Sequence, residues 1–232
     1  MTYVMSDIHG EYQKYKEMLE KINFSDEDIL YVLGDVIDRG ENSVEILTDM
    51  SMRANVYPIY GNHELMASVV LHSLLVEITD ESVELGLDAD TMRALMVWQE
   101  NGGDKTLKGF KRLSPDEREA LLEYLDEFSL YEVAEVGERT FILVHSGLGN
   151  FSEKKKLSEY TPDELAFMRP DYDRRYFSDG NIFIVAGHTP TPLLSGKKEI
   201  FHMNNNICID CGATFGGKLA CLRLEDMAEF YV

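Results

Sequence analysis

Hydrophobic residues recur along this chain in short runs, each closed by or near a Gly, Asp, Asn or His. The runs are TYVM (2–5), ILYVLG (29–34), VYPIYG (56–61), FILVH (141–145), IFIVAG (182–187), ICID (207–210) and LACLRL (219–224). Apolar runs of this length, bounded by turn residues, predict buried strands. Between the first three lie EYQKYKEMLEKI (11–22) and SVEILTDMSM (43–52), whose apolar positions recur at helical spacing. Strand, helix, strand, helix, strand is the order of a parallel α/β unit. SLYEVAEVGERTFILVH (129–145) predicts a hairpin turning at Gly137-Glu138. The last third is strand-rich, which predicts a mixed sheet or two packed sheets.

Residues 64–130 have a different pattern. ELMASVVLHSLLVEI, DADTMRALMVWQE and SPDEREALLEYLDEF read as helices. The last opens with a Ser cap, a Pro at the first helical position and acids in the first turn. No repeat, low-complexity tract or linker interrupts the chain. The expected organisation is one α/β domain over 1–232 with a helical, cap-like insertion at about 64–130.

Composition narrows the function classes. The net charge of −20 and the pI of about 4.6 oppose binding along a nucleic-acid backbone, which needs clustered Lys and Arg. A bound divalent metal would still create a local positive pocket. No apolar stretch approaches the ~18 residues that cross a bilayer, and the N-terminus lacks the basic region of a signal peptide. The chain is expected to be soluble and cytoplasmic, with no membrane partner. Cys208, Cys211 and Cys221 are the only cysteines. A C-x-x-C at 208–211 can mark a redox or zinc pair. With no second pair, and with strand-like alternation through NICIDCG, these thiols read as buried and reduced.

The strand ends carry an unusual polar set: SDIHG (6–10), GDVIDRG (34–40), GNHE (61–64), VHSGL (144–148) and AGHTP (186–190). One Asp after a strand is often a helix cap, and one His there is often only a packed, hydrogen-bonded side chain. Together they need another explanation. Of six histidines, four (His9, His63, His145 and His188) fall within these motifs, whereas His72 and His202 lie in ordinary contexts. Open α/β sheets bind ligands beyond the carboxyl ends of their strands, so these loops can converge on one site. Asp, His and Asn without Cys suit Mn²⁺, Fe or Zn²⁺ and disfavour a structural zinc site. The donors are too many for one ion and about enough for two, which can clamp and polarise a phosphoryl group.

These motifs resemble the phosphoprotein phosphatase family of calcineurin-like metallophosphoesterases. Its signature runs GD-x-HG, GD-x-x-DRG and GNHE, then two later histidines in HG/HS and GHT contexts. The resemblance spans residue 6 to about 217, with Ser6 in place of the usual Gly. The AGHTPT…ICIDCGATFGGKLACLRL ending is most similar to the bacterial and phage serine/threonine protein phosphatases. The resemblance implies a layered α-β-β-α sandwich of mixed sheets. It also implies two divalent metal ions, with Mn²⁺ favoured over Fe or Zn²⁺. By similarity, Asp7 and His9 hold the first metal, Asp35 bridges, and Asn62, His145 and His188 hold the second. Arg39 would grip the substrate phosphate with its planar fork. His63 would be the general acid, oriented and kept charged by Asp38. Arg169 would be a second phosphate-binding residue, with Arg174 and Arg175 as alternatives. Asp210 would either support a metal-binding His or be a plain turn residue.

The reaction so implied is in-line attack on phosphorus by a hydroxide bridging the metals. The first functional expectation is a phosphatase acting on phosphomonoesters, chiefly phosphoserine and phosphothreonine in proteins. The alternative is a hydrolase of dinucleoside polyphosphates such as diadenosine tetraphosphate, on the same metal core. A catalytically silent metal-binding scaffold ranks below both, because every implied ligand is in place. The acidic stretch EITDESVELGLDAD (77–90) would disfavour a polyanionic substrate if it lined the pocket. Oligomeric state is not legible.

Overall fold

A computed structural model of the chain describes residues 1–75 and 89–232. The acidic stretch therefore lies outside the described residues apart from Ala89 and Asp90. Within them, the N-terminal part runs β1 (Thr2–Met5), α1 (Tyr12–Lys21), β2 (Ile29–Val32), α2 (Ser43–Ser51), β3 (Val56–Pro58) and α3 (Asn62–Leu75). Three more helices follow: α4 (Ala89–Glu100), α5 (Asp104–Phe110) and α6 (Pro115–Asp126). The C-terminal part holds β4 (Tyr131–Val136), β5 (Arg139–Val144), β6 (Ile182–Ala186), the short α7 (Thr191–Ser195), β7 (Phe201–Met203), β8 (Asn206–Cys208), β9 (Ala220–Arg223) and β10 (Ala228–Tyr231).

The strands form two mixed five-stranded sheets, ordered β10-β9-β1-β2-β3 and β4-β5-β6-β8-β7. β1, β2 and β3 are parallel, as are β5, β6 and β8; the flanking strands are antiparallel. Period-two alternation sorts side chains between layers. In β1, Tyr3 and Met5 join a core with the helices while Val4 joins the core between the sheets. In β5, Phe141 and Leu143 enter the same inter-sheet core, and Ile142 and Val144 face the other way. The outer face of the second sheet is covered by Leu148, Tyr160, Leu165 and Tyr176, from a segment with only single helical turns. The α/β fold with two mixed sheets is thus the expected one.

Most expected elements form within a residue or two of their anticipated bounds. The β4–β5 hairpin pairs Val136 with Arg139, leaving Gly137-Glu138 as its turn, with Gly137 at φ 62°. Ser114 and Glu117 form a reciprocal capping box at α6. α3 starts earlier than the pattern predicts, at Asn62, inside the GNHE motif. The pattern does not predict β7, β10, α5 or α7. β7 and β10 are edge strands of three and four residues, too short for alternation to stand out. Trp98 of α4, Leu107 and Phe110 of α5 and Leu121, Leu122 and Leu125 of α6 share one core with α1 and α2. Among the described residues, no helix is long and apolar enough to cross a membrane.

Candidate metal centre

The loops after β1, β2, β3, β5 and β6 meet at one end of the two sheets, and their backbones are interlocked. Asp7 N–H donates to the Gly34 carbonyl, His9 N–H to Asp35 and Gly10 N–H to Val36, at 3.1, 2.9 and 2.8 Å. Gly10, at φ 69°, lies so close to Gly40 that a Cβ there would come within 2.7 Å of its carbonyl carbon. Asp7, His9, Asp35, Asp38, Arg39 and His188 all take left-handed backbone conformations. Among the described residues, four of the other five non-glycine residues with positive φ are Asn, which tolerates that region. Asp shares that tolerance with Asn, but His9, Arg39 and His188 each carry a cost of about 1–2 kcal/mol. Such strain persists where the surroundings over-determine it, and it concentrates at functional sites. Ser6 is not in that region, so replacing the usual Gly there adds no backbone strain.

One over-determining contact comes from Glu64, to which the sequence reading gives no role. It is fully buried, and its carboxylate accepts N–H bonds from Asp35, Val36, Ile37 and Gly61 at 2.8–3.2 Å. One side chain at the start of α3 thereby fixes the loop after β2 against the loop after β3. Its sequence signal is the last letter of GNHE, a carboxylate beside three turn residues.

The donor atoms converge around Asp35. His9, Asp35 and His63 form one group, and Asp35, His145 and His188 another; within each, the candidate ligand atoms lie within 4.8 Å of one another. Asp35 is common to both. The tautomers matter here. His145 Nδ1 donates to the Leu33 carbonyl at 2.7 Å, so its Nε2 is a bare acceptor. That Nε2 lies 3.0 Å from Asn62 Oδ1 and 3.3 Å from Asp35 Oδ1. Three acceptors facing one another without a proton suit a cation. His9 Nδ1 likewise donates to Ile37 O at 2.8 Å, leaving its Nε2 3.5 Å from Asp35 Oδ2. His188 Nδ1 pairs with Asn62 Oδ1 at 2.9 Å.

The electrostatics agree. Burial pushes His9 down to about 3 and His188 to about 4, so both are neutral and able to ligate. Burial also lowers His145. Burial opposes ionisation of Asp35, yet His145, His63 and His9 outweigh it and hold Asp35 well below the usual carboxylate range. Asp7 is raised well above that range by burial and by Asp210 and Asp35. Asp210 is raised to about 6 by burial, with Asp35 adding to it. Three buried carboxylates that repel one another are what a divalent cation would neutralise. The chemistry of the donor set therefore fits divalent metal.

The first group contains His63 where the resemblance implies Asp7. His63 is engaged on both ring nitrogens: Nδ1 with Asp38 Oδ2 at 2.7 Å, and Nε2 with Arg39 Nη2 at 3.0 Å. Asp7 lies beside the groups and accepts the His188 N–H at 3.0 Å. Burial works against a charged His63, but Asp35 and Asp38 prevail and raise it. Asp38 is itself held by the helical segment. Trp98 Nε1 donates to its Oδ2 at 2.7 Å and Thr106 Oγ1 to its Oδ1 at 2.6 Å. Gly102 O accepts the Arg39 N–H at 3.0 Å. Residues 60–68 positions downstream thus hold the Asp38–His63 pair, a role with no local signature.

Arg39 also reaches His9 Nε2, with its Nη1 at 2.5 Å. It borders a cleft of about 550 Å³ with Asp35, Asn62, His188, Asp210 and Arg169. Arg174 is elsewhere, stacked on Phe151 and Tyr176 at 5.0 and 5.4 Å. His72 and His202 pair with Asp126 and Glu229 on the surface. Cys208, Cys211 and Cys221 are free and buried, and burial raises all three thiols.

Known proteins carry the same architecture. Over its full length the chain superposes, with a TM-score of 0.68 and 15% identity, on 92% of a provisionally named diadenosine tetraphosphatase. It also superposes at 0.56 and 14% identity on a serine/threonine phosphatase from Saccharomyces cerevisiae, covering 95% of this chain and 71% of that one. At these identities the likeness shows the fold. In sequence, it is 32% identical to a symmetrical bis(5'-nucleosyl)-tetraphosphatase of Coxiella burnetii, over all of this chain and 91% of that protein. It is 25% identical to the asymmetrical bis(5'-nucleosyl)-tetraphosphatase PrpE of Halalkalibacterium halodurans, over 97% and 90%. A match to a symmetrical enzyme of Wigglesworthia glossinidia is 34% identical but spans 41% of this chain and only 36% of that protein. These three sequence relatives carry tetraphosphatase names rather than protein-phosphatase names. The model of the calcineurin-like phosphoesterases matches residues 2–222. The chain is therefore a member of the calcineurin-like phosphoesterase family.

Proposed function

We propose that the protein hydrolyses dinucleoside polyphosphates, of which diadenosine tetraphosphate is the model substrate, at a two-metal site. The observation that carries this over the phosphoprotein alternative is full-length similarity to proteins named for that activity. The cleft is consistent with it. Arg39, Arg169 and Lys198 all line it, in a chain of net charge −20. Three cations in one cleft suit a run of phosphates better than a single one.

Asp7, His9, Asp35, Asn62, His145 and His188 would hold two divalent metals, with Asp35 common to both. When bound, such ions polarise the phosphoryl oxygens and supply a strong nucleophile from water near neutral pH. Arg39 turns from His9 and His63 onto the phosphoryl group under attack and offsets charge on its equatorial oxygens. That movement frees His63 Nε2. Nε2 accepts from Arg39 until then and carries no proton, so once freed it takes one up from solvent; Asp38, anchored by Trp98 and Thr106, keeps Nδ1 occupied, and the Nε2 proton goes to the departing phosphate oxygen. Arg169 grips a neighbouring phosphate. Mn²⁺ is the metal to try first, with Fe and Zn²⁺ compatible with the same donors.

The test sets diadenosine tetraphosphate against a phosphoserine peptide under one Mn²⁺ condition. The nucleotide should have at least tenfold higher kcat/KM. Faster turnover of the peptide would return the assignment to a protein phosphatase.

A further inference from the structure

One apolar part of the cleft wall has no role in that chemistry. Phe215 lines it with 64% of its surface exposed, and Leu193, also lining it, is 70% exposed. A scattered exposed apolar residue needs no explanation. Phe215 is not scattered. Its ring lies 5.1 Å from the Arg39 guanidinium, the group that also touches His9 and His63. The aromatic face is thus one side chain away from the reacting phosphoryl group.

The turn that carries the ring is held by main-chain hydrogen bonds. It is a 3₁₀ turn, Ala213–Phe215, between Gly212 and Gly216 at φ 74° and 72°. The N–H groups of Phe215 and Gly217 both donate to Gly212 O, at 2.9 and 2.8 Å. Lys198 Nζ, at the cleft, also ties the loop by donating to Gly216 O at 2.8 Å. An exposed aromatic on a turn fixed by its main chain has less freedom left to lose on binding, which favours a flat ligand. Small-molecule sites occupy roughly 300–1,000 Å³, so a cleft of about 550 Å³ has room beyond one phosphate.

We infer that Phe215 is a nucleobase platform: one base of the substrate stacks on it while Arg39, Arg169 and Lys198 hold the phosphates. This rests on the dinucleoside polyphosphate assignment and adds to it the place where the nucleoside is recognised. Stacking accepts any base, because every base has a π-face. The subsite therefore selects nucleotides over simple phosphates without selecting among bases.

The test compares full-length wild type, Phe215→Ala and Phe215→Trp on two substrates with Mn²⁺. One is diadenosine tetraphosphate. The other is inorganic tripolyphosphate, which has the anhydride but no base. Phe215→Ala should lose about 5- to 150-fold in kcat/KM on the dinucleotide, mainly through KM. Its loss on tripolyphosphate should be at least about fivefold smaller. Phe215→Trp, which keeps a stacking face, should retain at least half of wild-type kcat/KM on the dinucleotide. Proportional losses on both substrates, or a Trp variant as weak as the Ala variant, would overturn the platform. So would an Ala variant equal to wild type, and that result would leave the substrate assignment standing. Wild type that cleaves tripolyphosphate alone, or neither compound, would refute the substrate assignment and the platform with it.

Discussion

His63 has no exposed surface and faces two carboxylates, so it can belong to the metal site or to the leaving group. Its bonds favour the second. With Nδ1 committed to Asp38, only Nε2 is available, and Arg39 covers it; in the proposed reaction substrate draws Arg39 away. His63→Asn should therefore keep two metals per chain by elemental analysis while kcat falls about 10²- to 10⁴-fold. Loss of a metal in that variant would make His63 a ligand. Glu64 offers a second test at this scale. Glu64→Gln leaves an amide NH₂ facing backbone N–H donors that have no other acceptor. Unfolding in urea should show a loss of about 1–3 kcal/mol or more. An unchanged midpoint would mean that those N–H groups find other partners.

At the scale of elements, α4, α5 and the turn between them hold Asp38 and Arg39 in place. Trp98 and Thr106 complete the bonds to Asp38, and Gly102 holds the Arg39 backbone. Trp98→Phe preserves most of the buried ring but removes the indole N–H. We expect a stability loss of about 1–3 kcal/mol, and a kcat that falls while KM stays within twofold. Steady-state kinetics beside urea unfolding separates the two effects; an unaltered kcat would reduce α4 to packing. These contacts also mark where the sequence stops being legible. The strand-end motifs can be read because each sits on a few contiguous residues and their polar letters repeat. Trp98 acts on a residue 60 positions away and looks like any core aromatic. Phe215 and Glu64 sit inside motifs already noticed, but their partners come from other loops. β7 and β10 escape because short edge strands show too little alternation to register.

For the whole molecule, the fold class follows from the order and period of apolar runs. The substrate does not, because the metal core is common to enzymes of different specificity and the cleft walls come from scattered loops. That is why the motifs suggest phosphoproteins while full-length relatives favour dinucleoside polyphosphates. In the proposed metal site, the buried Asp7, Asp35 and Asp210 would also tie global stability to metal. A ligand at 100 times its Kd adds about 2.7 kcal/mol. Chelation should thus lower Tm by roughly 5–11 °C for each such site, at the 2–4 °C per kcal/mol typical of domains this size. A melting curve indifferent to chelator would contradict a buried, metal-dependent carboxylate cluster. The central claim is that two metals sharing Asp35 drive hydrolysis of a dinucleoside polyphosphate. It is tested most directly by titrating chelator-stripped protein with Mn²⁺ while following diadenosine tetraphosphate cleavage. Activity should be absent without metal and should plateau at two equivalents per chain. Full activity without metal, or a plateau at one equivalent, would contradict the account.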